Sequence, residues 1–298
     1  GINDKVRLAT GEVVFSTIPS NTNDPNSNRT GWLNIGNISV VESIAEMLSI
    51  ANPQTGNSVT TKSYIAGLNK GGTKYIYDAT RAAENNGVTC INGWVKKNTS
   101  RLLASQAGCR EGDFENTDLL NSLILVASNE GIKEVILDGF YKIGKLEKGI
   151  TTTPFGDENA WWLLKARSNV TIKGRSWSDG LFVAGGLVAS NASEPNTKGY
   201  MVFGDYNQSD IENFKIKNFT IDNNGKENLL PAVVGSGAQA LCPNVWFQRG
   251  KNIGVFDIHF KDNAGHQTVV LDSGVKGAKV IGNTFTDNGK GLPNNVNI

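Results

Sequence analysis

The stretch "VFDIHFKDNAG" at residues 255–265 returns twenty-five residues later as "VIGNTFTDNG" at 280–289. Aligned, the two stretches share a six-residue unit, 255–260 and 280–285. Two earlier copies stand at 216–221 (IKNFTI) and 172–177 (IKGRSW). Position one is Ile or Val in every copy, and position six is Ile, Phe or Trp. Position three is Gly174, Asn218, Asp257 or Gly282, residue types that accept left-handed backbone. A unit this short, apolar at both ends and bent in the middle, is two short strands meeting at a corner. It is too short to be one face of a helix.

A β-rich run precedes each unit: "WWLLKARSN" (161–169), "GYMVFGDYN" (199–207), "NVWFQRGKN" (244–252) and "TVVLDSGVKG" (268–277). Taking Leu164, Phe203, Phe247 and Leu271 as equivalent gives spacings of 39, 44 and 24 residues. The shortest is one bare coil, and the longer two carry insertions at roughly 178–198 and 222–243. Three strands per coil, with one residue type per position, predict a parallel β-helix. One coil cannot bury its own apolar row, whereas a stack can. An antiparallel β-sandwich would show hairpin turns and no bend recurring between fixed apolar ends.

What precedes the stack fits its needs. The first coil of such a fold exposes a sheet edge and an apolar interior. Residues 117–131 read as a lid: Thr117 can cap a helix, Leu120, Leu123, Ile124 and Ala127 form its face, and Gly131 can end it. "KEVILDGFYKIG" (133–144) then reads as the first coil. Further upstream, Ser39 and Glu42 have capping-box spacing, and Ile44, Met47, Leu48 and Ala51 continue a helix. Two strand-like runs follow around Gly71 and Gly72, and the Asn-, Pro- and Ser-rich stretch 17–32 reads as a linker or extended loop. The expected fold class is mainly β: a connector (1–38), a small α+β head (39–100), then a capping helix and the first coils of a parallel β-helix (101–298).

Composition narrows the functions. Of 298 residues 19% are charged and the formal net charge is +1, which argues against nucleic-acid binding through bulk charge. No apolar run approaches the roughly 18 residues of a membrane span, so no membrane insertion is expected. Cys90, Cys109 and Cys242 are odd in number and widely spaced, without a CxxC, and the only histidines are His259 and His266. No metal site or cofactor is expected. The cysteines read as small apolar fillers in a chain that folds in a reducing cytosol. The opening "GINDKVRL" reads as an internal cut rather than a natural start.

Three stretches resemble bacteriophage tailspikes, including capsule-degrading depolymerases with a pectate-lyase-like right-handed β-helix. "RLATGEVVFSTIPSNTNDPNSNRTGW" resembles their tail-proximal segment. Residues 43–97, from "SIAEML" through "YIAGLNKGGTKYIYDATRAAENNGVTCINGWVKK", resemble the small head domain. "GDFENTDLLNSLILVASNEGIKEVILDGFYKIG" resembles the capping helix and first coil. Together they cover nearly two fifths of the chain, in the expected order. The resemblance implies a homotrimeric spike on the virion, made in the bacterial host cytoplasm and joined to tail or baseplate proteins. It also implies binding, and usually cleavage, of bacterial capsule or O-antigen polysaccharide, by a hydrolase, lyase or deacetylase. Relatives continue for several more coils, so the chain reads as an N-terminal fragment whose catalytic site can lie partly beyond it. The rival reading is a non-catalytic tail-fibre module for virion attachment and polysaccharide binding.

The candidate site follows from register. If Phe247 and Leu271 point inward, Trp246, Gln248 and Asp272 point outward together, and the same register exposes Lys165 and Asp205. Carboxylates on neighbouring coils, about 4.8 Å apart, can meet the roughly 5–9.5 Å separations of glycoside hydrolysis. The catalytic candidates are Asp272, Asp205 and Glu227. The substrate-binding candidates are Trp246, Gln248, His266 and Lys165. Five of them have a plainer alternative: Trp246 as a covered or interface residue, Asp272 as a turn cap, Asp205 and Glu227 as loop residues, His266 as a surface histidine. Asp257, at the bend, reads as structural. The Asp-Asn pairs at 222–223, 262–263 and 287–288 read as turns. The Asp-Asp and Gly-His-Gly signatures of polygalacturonases are absent, and no acidic cluster is dense enough for calcium.

Overall fold

Ile172, Ile216, Val255 and Val280, the first positions of the four units, lie side by side in register on parallel strands. The computed structural model describes residues 5–8, 13–16, 18–28, 32–34, 38–148, 161–187, 200–204, 210–228, 243–263 and 268–287. The chain forms two units: residues 1–99 with 106–108, and residues 100–105 with 109–298.

The second unit is a parallel β-helix of three sheets. The first holds Leu102–Leu103, Glu134–Leu137, Thr171–Gly174, Lys215–Lys217, Gly254–Phe256 and Lys279–Ile281, all parallel. The second holds Phe140–Ile143, Gly180–Val183, Thr220–Asp222, His259–Lys261 and Thr284–Thr286. The third holds Trp161–Lys165, Tyr200–Gly204, Val245–Lys251 and Val269–Lys276. Two short strands join the third sheet: Glu147–Lys148, antiparallel to Trp161–Lys165, and Ile211–Glu212, parallel to the end of Val245–Lys251. Each full coil visits the third, first and second sheets in turn.

The unit's bend is real at three copies: Asn218, Asp257 and Gly282 have φ of 57°, 52° and 71°. Gly174 differs. It ends a strand, and a Cβ there would lie 2.4 Å from the Asn218 carbonyl oxygen, so close approach rather than left-handed backbone requires glycine. Position six also holds at three copies, where Ile221, Phe260 and Phe285 are in register. In the first copy the partner of Ile221 is Leu181. Trp177 instead sits 44% exposed in a four-residue expansion of the corner, its indole N–H donating to the Asp257 carbonyl at 2.7 Å. Val135 and Tyr141 supply a further copy, paired with Ile172 and Leu181.

The interior is a column of apolar side chains. Val255 and Phe260 are buried, and Phe260 stacks on Phe285 with ring centroids 5.3 Å apart. Val280 and Phe285 share the column but are 44% and 53% exposed, because they belong to the last described coil. At the other end, helix α2 (Thr117–Asn129) buries Leu120, Leu123, Ile124, Val126 and Ala127. Thr117 is the first helical residue rather than its cap, and its hydroxyl donates to Glu115. Asn121 acts as a substitute strand: its amide donates to the Leu163 carbonyl (2.9 Å) and accepts from the Lys165 N–H (2.8 Å). Sheet-edge groups of Trp161–Lys165 are thus satisfied by a helix side chain.

In the first unit, Ile38–Val41, Ser58–Thr61, Lys74–Tyr77, Trp94–Lys96 and Cys90–Ile91 form one sheet. Helix α1 (Ile44–Leu48) precedes α2 in the chain and packs Ile44 and Met47 on Val41, Val59, Tyr75, Ile91 and Trp94. Its capping box lies four residues later than the expected one. Ser43 Oγ accepts from the Glu46 N–H, and Glu46 reaches back to the Glu42 N–H at 2.6 Å, while Ser39 lies in a strand. Lys5–Arg7, Val13–Ser16 and Trp32–Asn34 form a separate antiparallel sheet. The Asn-rich stretch between the last two is tied by the Trp32 indole donating to the Asn23 carbonyl. Cys90 and Cys109 are buried, and Cys242 lies outside the described residues.

Candidate functional site

The third sheet sets the candidate face. Phe247 pairs with Leu271 and Leu164 with Phe203, as expected. Phe203, however, pairs with Val245 rather than Phe247. The two-residue offset leaves facing unchanged, because strand side chains alternate with period two. Phe203 and Phe247 are both inward, each against Phe214 at centroid distances of 6.0 and 5.7 Å. Trp246 therefore lies on the opposite face.

That face is covered at Trp246. The indole is 2% exposed and packs with Trp162, Met201 and Val270. The Trp162 ring lies over Gly204, where a Cβ would come within 1.8 Å of it. Trp162–Leu164 and Met201–Phe203 are buried without a break, so these strands show no inside–outside alternation. The Trp246 Nε1–H donates to Asp272 Oδ2 at 2.9 Å across neighbouring coils. Asp272 and Gln248 are half-buried, and a register shift separates Phe247 from Arg249 beside them.

Lys165 stands in the same cross-coil row as Trp246, through Gly204, and its ammonium is paired with Glu147. Glu227 is elsewhere: it is exposed in the turn after the second sheet, its N–H bonded to Asn224 and its carbonyl to the Gly186 N–H. Asp205 and His266 lie outside the described residues. Asp257 holds the bend, its N–H donating to the Ile281 carbonyl. The structure thus brings Trp246 and Asp272 into contact, keeps Gln248 beside them, and separates Glu227 from the group.

Two polar arrangements were not anticipated from the sequence. Asp138, nearly buried, accepts from the Ser105 N–H (3.0 Å), the Ser105 hydroxyl and the Tyr141 hydroxyl (2.7 Å), fixing the first coil. Burial, reinforced by Asp138, holds Tyr141 and the Cys109 thiol well above their ordinary pKa. Nearby, Arg175 grips the buried Asp179 through Nε (3.0 Å) and a terminal nitrogen (2.8 Å), which also donates to the Asp138 carbonyl. The bond to Asp179 raises the Arg175 pKa. The two residues stand four apart around the expanded corner, a spacing the strand pattern concealed. Among the described residues no group of three or more His, Cys, Asp or Glu converges as metal donors, and no helix is long and apolar enough to cross a membrane.

Residues 40–110 match the family described as phage tail protein small four-stranded beta-sheet domain. The matched segment contains the strands Ser58–Thr61, Lys74–Tyr77, Cys90–Ile91 and Trp94–Lys96 of the first unit in full, and also Leu102–Leu103 of the β-helix. No curated protein sequence matches the chain. Among solved structures, the tailspike protein of Acinetobacter phage vB_ApiP_P1 is similar at 16% identity and TM-score 0.43, over 78% of this chain and 40% of that one. The gp42 tailspike of Acinetobacter phage vb_AbaP_AS12 is similar at 19% identity and TM-score 0.47, over 75% and 37%. Pantoea stewartii WceF, a glycan biofilm modifying enzyme with a tailspike-like parallel β-helix fold, is similar at 12% identity and TM-score 0.48, over 93% and 44%. The chain spans less than half the length of each of these three proteins.

Proposed function

We propose that this chain is part of a phage tailspike that binds and degrades bacterial capsule or O-antigen polysaccharide during adsorption to the host. One observation carries the reading: a segment matching a phage tail domain leads directly into a helix-capped parallel β-helix. The first is a part suited to the virion, and the second is a rigid shaft whose long outer faces suit an extended glycan. The spike is a homotrimer on the virion, joined to tail or baseplate proteins.

The reaction is glycosidic cleavage, by hydrolysis or by elimination. Asp272 is the catalytic carboxylate of choice within the described residues, because it is half-buried on an outer face and oriented by the Trp246 indole. A hydrolase needs a second carboxylate across the scissile bond, and Asp205 is the candidate carried from the sequence. Gln248 and Lys165 bind substrate on the same face, and Trp246 holds Asp272. Glu227 is assigned to the rim, in the turn after the second sheet, and His266 is proposed as a further substrate contact.

Incubating the purified protein with surface polysaccharides of candidate hosts tests this. Release of discrete oligosaccharides, followed by size-exclusion chromatography, is the expected result, and an ultraviolet-absorbing unsaturated end would mark elimination. Binding with no release from any host polysaccharide would favour a purely adhesive module.

A further inference from the structure

The first sheet presents a different outer face, and that face is basic. Its inward column, Val135, Ile172, Ile216 and Val255, is buried, so the alternate residues face out. In register they form two rows: Leu103, Ile136, Lys173, Lys217, Phe256 and Ile281, and Glu134, Thr171, Lys215, Gly254 and Lys279. Lys173, Lys215, Lys217 and Lys279 have no acidic partner among the described residues. Glu134 is the single acid in the two rows. The whole chain carries a net charge of only +1, so this concentration of cations is local.

Two features give the face shape. At one end a cleft of about 230 Å³ is lined by Arg101, Leu103, Ile136, Lys173, Gly174 and Arg175. Its apolar floor is Leu103 and Ile136, and three cationic side chains wall it. Arg175 is held in place by Asp179 and the Asp138 carbonyl. Toward the other end the Phe256 ring folds back over Gly254, where a Cβ would lie 2.3 Å from the ring and 3.0 Å from the Lys215 stem. The half-buried ring is thus a low platform, with Lys215 against it and Lys217 beside it in register. Six strands at about 4.8 Å make a track roughly 24 Å long.

We infer that this face binds an anionic polysaccharide, a ligand class that deepens the tailspike reading and rests on it. Lys173, Lys215, Lys217 and Arg101 hold acidic substituents of the sugars. The Phe256 ring and the Leu103–Ile136 floor take the C–H faces of pyranose rings. Charge complementarity selects an acidic chain, and the interleaved apolar platforms select one whose units alternate an apolar face with a charge. The neutral overall balance disfavours a nucleic acid, whose binding follows bulk phosphate neutralisation.

The test is calorimetric binding of oligogalacturonate and of the same oligomer fully methyl-esterified, at low and physiological salt. The acid should bind, more tightly at low salt, and the neutral ester should not. Replacing Lys173, Lys215 and Lys217 together by Gln should weaken binding about tenfold or more. Phe256→Ala should weaken it about fivefold at all salt concentrations, and the exposed Lys226→Gln should change nothing. Circular dichroism checks each fold. No binding, equal binding of acid and ester, an unaffected triple variant, or equally tight binding of a DNA oligomer would each overturn the inference. The two readings fail separately. Capsule degradation undiminished in the triple variant removes this face and leaves the depolymerase. Lysine-dependent binding of the acid without cleavage of any host polysaccharide does the reverse.

Discussion

Asn213 shows how single residues hold the coils in step. Where the chain turns from the third sheet into the first, successive coils place Asn169, Asn213, Asn252 and Gly277 in left-handed backbone, with φ of 63°, 57°, 57° and 67°. The amide of Asn213 donates to Asn169 Oδ1 at 2.9 Å, and that of Asn252 donates to Asn213 Oδ1 at 3.0 Å. Their backbone N–H groups reach carbonyls of the next coil: Asn213 to Lys251 and Asn252 to Lys276. Asparagine tolerates this conformation and also supplies both halves of a ladder. Asn213→Ala should therefore destabilise by about 2–3 kcal/mol, combining left-handed strain with two lost exposed hydrogen bonds. Asn213→Gly should recover the backbone share and cost only about 1 kcal/mol. Urea denaturation of both variants checks the order, and glycine proving worse than alanine would refute the backbone argument.

At the level of elements, the hexapeptide was legible because parallel coils force one residue type onto one position. Two copies of it sufficed to expose the inward column. Phe260→Ala should cost about 3–5 kcal/mol as a buried aromatic truncation, and Phe285→Ala clearly less, since Phe285 is 53% exposed. Equal losses in denaturation would contradict the placement of Phe285 at the margin. The Asn turn is equally periodic, three residues before position one in every copy: the runs expected at 161–169, 244–252 and 268–277 end on it at Asn169, Asn252 and Gly277, whereas the run at 199–207 stops short of Asn213. Trp177 was misassigned because a corner can expand by four residues without changing the strands it joins. Trp246 was expected to face outward, and the structure buries it at 2% exposure. Its cover was invisible, because Trp162 and Met201 reach it only through coils separated by insertions of unequal length. The capping box was displaced because two Ser–x–x–Glu pairs stand end to end there, 39–42 and 43–46, and only Ser43 opens a helix, while Ser39 lies in a strand. Nothing in the sequence singled out Lys96, which ends the strand Trp94–Lys96. It is 4% exposed, its amine donates to Gln106, and burial lowers its pKa to about 8. The unfolded chain titrates near the ordinary 10.5, so between these values the unfolded state binds more protons, and stability rises with pH. Lys96→Met should stabilise the head most at neutral pH, with the advantage shrinking from pH 8 to 10. A constant difference across that range would refute the burial effect.

For the whole molecule, the tailspike reading expects three copies. Light scattering should give three times the chain mass at high concentration, and a strict monomer would count against trimerisation. Activity depends on whether the assembled protein uses the Trp246–Asp272 pair. Trp246→Ala is a poor probe, because removing an indole packed on Trp162 and Met201 costs about 3–5 kcal/mol by itself. Trp246→Phe keeps most of that packing and removes only the Nε1–H that reaches Asp272. Asp272→Asn keeps an oxygen able to accept that bond but loses the carboxylate. If Asp272 is the acid or nucleophile, Asp272→Asn should reduce release of oligosaccharide from capsule by about a hundredfold or more, with circular dichroism unchanged. Trp246→Phe should give a smaller loss in kcat with little change in KM, as expected when a catalytic group is left in place but less well oriented. A turn-capping Asp272 predicts the opposite pattern: both variants lose a little thermal stability and neither loses turnover. Full activity in both, on a polysaccharide that the unaltered protein degrades, would remove this face from the chemistry and leave Asp272 as a clamp between neighbouring coils.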